Sequence, residues 1–195
     1  MFNFLYKTPI GHLQIIFSKI DSKIVSCIFI DYSNLENKSI SKCGEKCNHI
    51  KEKSEEIRQE EDLEYKYLYN IFKNELDNYF INKKDFSKEF LEKYIDIKSL
   101  KATDFQKSIW SIICKVKIGE TINYTQMAIK SDNLLAARAA GTACGKNPLA
   151  LFIPCHRVLR KDGEVNYADR GYSWGPERKT FLLEMEGYIF SETKK

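Results

Sequence analysis

The chain has 195 residues, 43% of them hydrophobic and 13% aromatic, with 31 basic and 27 acidic side chains for a net charge of +4. This is ample for a packed core and excludes a chain disordered by charge. No apolar run approaches the roughly 18 residues needed to span a bilayer, and the opening MFNFLYKTPIGHLQ lacks the features of a signal peptide, so a cytosolic protein with no membrane partner is expected.

In chain order, FNFLYKTP, GHLQIIFSKI and KIVSCIFID are β-branched and aromatic and are broken by Pro9-Ile10-Gly11 and Asp21-Ser22, which predicts strands joined by turns. Tyr32 to about Asp62 is polar and reads as a loop or frayed helix. LEYKYLYNIFKNELDNYF then places Leu63, Tyr67, Ile71, Leu76 and Phe80 near one helical face. KKDFSKEFLEKYIDIK reads as a turn and a short strand. A lobe boundary is expected near residue 100, giving lobes 1–100 and 101–195. Beyond it, Thr103 or Asp104 can cap a helix carrying Phe105, Ile109, Ile112, Ile113 and Val116. NYTQMAIKS and LLAARAAGTACGKN predict two short helices split by Ser131-Asp132-Asn133, the outline of a helix-turn-helix or of a plain helical hairpin. The second lobe holds 15 basic against 10 acidic residues and the first 16 against 17, which is compatible with a polyanionic partner.

Chemistry concentrates at IPCHRV. The preceding run LALFI reads as a buried strand or extended segment that ends at Cys155. A thiol reacts as thiolate and needs a base or positive potential at neutral pH. His156 is adjacent, but neighbours on an extended chain face opposite ways, so direct proton transfer needs a turn or a bridging water. The pair is either a nucleophile with its base or a buried structural turn. Arg157 and Arg160 read as solvating the segment, Tyr124 and Arg138 as rim residues, and Asn147 as part of a helix stop. Glu186 ends a helix, where the dipole disfavours it unless something holds it.

In order, GETINYTQMA, AARAAG, GKNP, IPCHRV, GYSWGPERK and LLEMEG resemble the O6-alkylguanine-DNA alkyltransferases, the methylated-DNA–protein-cysteine methyltransferases, over Asp104 to Gly187. More loosely, TPIGHLQI resembles their opening hairpin. The resemblance implies an α/β (α+β) protein: a first lobe with a small antiparallel sheet and a helix, then a helical lobe with the helix-turn-helix. It implies DNA repair by direct damage reversal, with the alkyl group of O6-alkylguanine, and of O4-alkylthymine, passing irreversibly to Cys155. Each molecule acts once and needs no cofactor.

By the same resemblance His156 deprotonates Cys155 through a water, Glu186 orients His156, Asn147 organises the turn, and Tyr124 donates to the departing base. Arg138 fills the gap left by a base flipped out of duplex DNA. Ala137, Ala139 and Gly141 let the helix sit in the minor groove, with Thr125 and Gln126 alongside. Val158, Tyr172 and Ser173 form the pocket, Cys155 and Val158 reading the guanine edge through backbone groups. Trp174 departs from the family's small residue and is expected to narrow the pocket toward methyl. The stretch before it is longer than usual, so Tyr167-Ala168 offers a second alignment. Cys27, Cys43, Cys47 and His49 could hold the structural zinc that some members bind, though the spacing is not a standard finger. A monomer is expected, in cytoplasm, nucleoid or nucleus. The rivals are a lesion binder without chemistry, against which Cys155 argues, and a cysteine hydrolase, which leaves Arg138 and Tyr124 without roles.

Overall fold

The computed structural model describes residues 2–18, 20–30, 59–163, 165 and 172–190, apart from the side chains of residues 2 and 59–62. Three strands, β1 (Phe2–Thr8), β2 (Gly11–Phe17) and β3 (Ile24–Ile30), form an antiparallel sheet in that order. In β1, Phe4, Tyr6 and Thr8 are buried while Asn3, Leu5 and Lys7 face outward, the period of two that a half-buried strand requires. Thr8 pairs with Gly11, leaving Pro9-Ile10 as the turn. Gly11 has a φ of +116°, and a Cβ there would meet the Ile30 carbonyl and the Arg178 guanidinium, both at 3.2 Å.

Helix α1 (Gln59–Asn82) packs on β1 through Leu68, Phe72, Leu76, Tyr79 and Phe80. The face expected from sequence is rotated: Leu76 and Phe80 are buried, but Leu63 and Tyr67 are 68% and 59% exposed. The row one position on is favoured because the Phe72 ring fits between Phe4 and Phe17, with centroids 5.6 Å away in each case.

The segment expected as a turn and short strand is instead helix α2 (Lys88–Tyr94). Ser87 caps it, accepting from the Phe90 amide at 3.3 Å, while Glu75 accepts from the Ser87 hydroxyl at 2.5 Å. Phe90 and Tyr94, four apart, then meet Phe72 on one face.

Helix α3 (Asp104–Ile113) starts at a capping box between Thr103 and Gln106 and buries Ile109, Trp110 and Ile113. Helices α4 (Tyr124–Lys130) and α5 (Ala137–Gly145) pack together and on α3, with the Trp110 indole N–H donating to the Ala143 carbonyl at 2.8 Å. A two-residue parallel ladder joins β4 (Ile122–Asn123) to β5 (Val158–Leu159), and α6 (Pro176–Met185) closes the described fold. This is the expected α+β class.

Residues 149–153 are buried as expected, but they form a turn rather than a strand. Leu151 has a φ of +67°, and the Ile153 amide donates back to Leu149 at 3.0 Å. One bridge ties this turn to the sheet: the Cys27 amide donates to the Pro148 carbonyl, and the Ala150 amide donates to the Cys27 carbonyl at 2.8 Å. Buried side chains from before and after residue 100 form one continuous apolar cluster. Among the described residues no helix is long and apolar enough to cross a membrane.

Candidate active site

Cys155–Arg157 is a single 3-10 turn after Pro154, so Cys155 and His156 do not lie on an extended chain. Cys155 is 4% exposed. The Asn147 amide holds it: Nδ2 donates to Cys155 Sγ at 3.1 Å and to the Ile153 carbonyl at 2.8 Å, and Oδ1 accepts from the Leu149 amide at 2.9 Å. The thiol sits below the ordinary thiol range. Hydrogen bonding from the neighbouring Cys144 thiol, the Asn147 amide and the positive field of Lys179 outweigh burial.

His156 is fully buried, and Nε2 lies 2.8 Å from Glu186 Oε1. Burial alone would push the Glu186 carboxyl up, but His156 and Arg157 hold it at about 2, so it is an anion that can only accept. Nε2 therefore carries the hydrogen. Burial first, then the charges of Arg157 and Lys179, keeps the imidazole below its usual range and hence neutral. Nδ1 then holds a lone pair, and it has no partner among the described residues. It is a base with its acceptor atom free.

Arg157, expected to face solvent, is 4% exposed. Its guanidinium grips Glu186 through Nε and Nη2, both at 2.9 Å, and Nη1 reaches the Val116 carbonyl at 2.6 Å and Asp85 at 3.0 Å. These acceptors come from distant parts of the chain, which is why the local sequence does not reveal the burial.

Sequence reasoning misses two further residues. Lys179 is 4% exposed and donates to the Val158 carbonyl at 2.6 Å; burial pushes its ammonium down. Its spacing of three, four and seven from Leu182, Leu183 and Glu186 sets it on the buried stripe of α6, a signal that was available. Tyr79 of α1 is 0% exposed and donates to Glu186 Oε1 at 2.5 Å. It too stands on a buried stripe, after Phe72 and Leu76.

The remaining candidates divide in two. Tyr124 opens α4, half-buried, and burial pushes its hydroxyl up to about 12; its ring lies 3.5 Å from where a Gly141 Cβ would be, so Gly141 admits it. Val158 donates its amide to the Cys155 carbonyl, and its own carbonyl accepts from Lys179, so the groups expected to read a base edge already have partners within the chain. Tyr172 is buried with its hydroxyl unpartnered among the described residues, and Ser173 donates to the Gly145 carbonyl at 2.7 Å. Trp174 packs edge-on to Phe29 of β3 at 6.5 Å. Arg138, Ala139 and Thr125 are exposed, and Ala137 is half-exposed. Gln126 is exposed too, but its Oε1 caps α4 by accepting from the Asn123 amide at 2.8 Å.

Among the described residues no three His, Cys, Asp or Glu side chains gather as a metal site requires. Cys27 is 0% exposed in the apolar core. Cys43, Cys47, His49 and the Tyr167-Ala168 pair lie outside the described residues.

A buried cysteine held by Asn147 and followed at once by a buried His156–Glu186 pair defines a protein with a candidate thiol nucleophile in its helical lobe. The family model described as the DNA binding domain of 6-O-methylguanine DNA methyltransferase matches residues 104–188. The chain is 32% identical over 182 residues to the "Probable methylated-DNA–protein-cysteine methyltransferase" of Acanthamoeba polyphaga mimivirus, covering 93% of this chain and 94% of that one. It is 38% identical over 125 residues to the methylated-DNA–protein-cysteine methyltransferase of Methanosarcina barkeri, covering 64% and 72%. The crystal structure of Mycobacterium tuberculosis OGT in complex with DNA superposes with a TM-score of 0.63 at 27% identity, covering 93% of this chain and 90% of that one. This chain belongs to the methylated-DNA–protein-cysteine methyltransferase family.

Proposed function

We propose that this chain repairs DNA by direct reversal, moving the alkyl group of O6-alkylguanine, and of O4-alkylthymine, onto its own Cys155. The observation that carries the reading is a buried thiol held by Asn147 beside a neutral His156 whose Nδ1 is free. The thiol proton passes through a bridging water to Nδ1. The thiolate attacks the alkyl carbon in line, so an S–C bond forms and the C–O bond breaks. The electron pair stays on the guanine, which takes a proton from solvent as it leaves, while the imidazolium returns its proton to solvent. Tyr124, whose hydroxyl stays protonated up to about 12, donates a hydrogen bond to the departing base. The thioether is stable, so each chain acts once, with no cofactor.

An alkyl carbon on O6 is out of reach inside a stacked duplex, so the base must be flipped out, at a cost of a few kcal/mol. Exposed Arg138 is suited to fill the gap. The small residues of α5 allow close approach to a minor groove, whose degenerate code suits lesions that fall anywhere. One chain holds every residue this scheme needs, so a monomer suffices, acting wherever the DNA lies.

The test is the intact mass of the protein after mixing with a duplex carrying one O6-methylguanine. A single added methyl, saturating at one per chain and absent in Cys155→Ala, is expected. Tight binding with no gain in mass would replace the reading with a lesion binder. Alkyl size is a separate question: Trp174→Gly should react faster than wild type with a benzylguanine probe, and equal rates would clear Trp174 of narrowing the pocket.

A further inference from the structure

The matched DNA-binding domain begins at residue 104, yet a side chain from well before it reaches the centre of the site. Tyr79 donates to Glu186 Oε1 at 2.5 Å, across 107 residues of sequence, and its oxygen lies 3.4 Å from His156 Nε2. Its ring is stacked on Phe86 at 5.1 Å and meets Phe80 edge-on at 5.0 Å, so the hydroxyl cannot swing away. Glu186 thus has four donors: Tyr79, His156 and Arg157 Nη2 on Oε1, and Arg157 Nε on Oε2.

We propose that Tyr79 is a positioning residue for the His156–Glu186 pair: its hydroxyl fixes the carboxylate and shares its negative charge, so that His156 remains a neutral base. The first lobe therefore supplies part of the acid–base apparatus. The inference rests on the reading of His156 as the base that serves Cys155.

The argument is one of competing pulls. A carboxylate 2.8 Å from an imidazole favours the imidazolium, and an imidazolium cannot accept the thiol proton. The charge that reaches His156 is what the other donors leave over. Arg157 takes part of it through two hydrogen bonds, and Tyr79 takes a further part at Oε1, the oxygen that faces the ring. Among the described residues, the charged and titratable groups around His156 are Lys179 of α6 and Glu186 at its C-terminal cap, Arg157 and Cys155 of its own turn, and Tyr79 of α1; Asp85 acts through Arg157.

The test uses the full chain in two forms. Tyr79→Phe removes the donor and keeps the ring, while 3-fluorotyrosine at position 79 keeps the ring and donates more strongly. The ring C–H signal of His156 is titrated by NMR, and the rate of alkyl transfer from the O6-methylguanine duplex is measured against pH. Tyr79→Phe should move the His156 midpoint and the acid limb of the rate profile upward by about one pH unit, a tenfold change in proton affinity. Transfer should slow by up to about tenfold on the acid limb, where His156 is mostly protonated, and much less above the shifted midpoint. The fluorinated protein should move both downward. Midpoint and limb unmoved would overturn the proposal, and if Tyr79→Phe does not fold, the fluorinated protein decides it alone. A wild-type protein that takes no alkyl group from DNA would sink the proposed function instead, while the NMR titration still decides the role of Tyr79.

Discussion

Two sets of ion pairs in this molecule use the same kinds of side chain and differ in what surrounds them. Lys88 and Glu92 meet at 3.6 Å on the surface, with side chains 81% and 68% exposed. Glu186 and Arg157 meet at 2.9 Å with side chains 1% and 5% exposed. At the surface water solvates both ions, and such a pair contributes about 0–1 kcal/mol. Inside, every hydrogen bond that water would have made must come from a named group, and Tyr79, His156, Asp85 and the Val116 carbonyl fill that role. A buried cluster of this kind adds less net stability than its short distances imply, but it is severe on any missing member.

The sharpest way to break the contrast is Glu186→Ala. It leaves Arg157 with only Asp85 and one carbonyl, and His156 Nε2 with only the Tyr79 oxygen at 3.4 Å. We expect a loss of about 3–5 kcal/mol in urea unfolding and no measurable alkyl transfer; a loss near that of a surface pair would end the comparison. Acid should tell the two sets apart next. Glu186 titrates at about 2 in the folded protein against an ordinary 4.5, so its stabilisation is fully present above 4.5 and is lost as the pH falls toward 2. That shift corresponds to about 3 kcal/mol. Urea midpoints measured from pH 6 down to pH 3 should fall in wild type, and Glu186→Gln should flatten the slope.

Asn147→Ala is milder. It strands the buried Leu149 amide, for about 1–3 kcal/mol, and removes a donor from Cys155, so the midpoint for iodoacetamide modification of that thiol should rise. Lys88→Ala should change unfolding by no more than about 0.5 kcal/mol, and a larger effect would mean that exposure is a poor guide to the worth of a pair here.

The same contrast explains how much could be read from the sequence. The order of the motifs points to Cys155, His156, Asn147 and Glu186; in the structure Asn147 bonds Cys155 and Glu186 bonds His156. The misplacement of Glu186 at a helix end was already a physical clue, and Arg157, His156 and Tyr79 are its explanation. Arg157 itself is illegible, because an arginine in a loop is usually solvated and its partners lie in segments that only the fold brings near. Lys179 and Tyr79 sit on buried helical stripes, yet both types carry long apolar bodies that blur into such a pattern. Helix α2 is missed because its evidence is the Ser87 cap and a four-residue spacing of aromatics that acquires meaning only once Phe72 is across from it. The turn before Cys155 is misread as extended because composition reports burial and not the φ of Leu151.

Arg178 near the end of the described chain donates to the carbonyl of Ile10 in the first hairpin at 2.9 Å, across 168 residues. Contacts so distant in sequence form slowly, because loop-closure entropy must be met before they yield anything in return. The surroundings that make Cys155 reactive depend on several such closures: Cys27 to the acceptor turn, Tyr79 to Glu186, and Arg178 to the hairpin. The proposed acceptor thiol therefore depends on contacts that close the whole chain, and the residues next to it in sequence are not enough to set its surroundings.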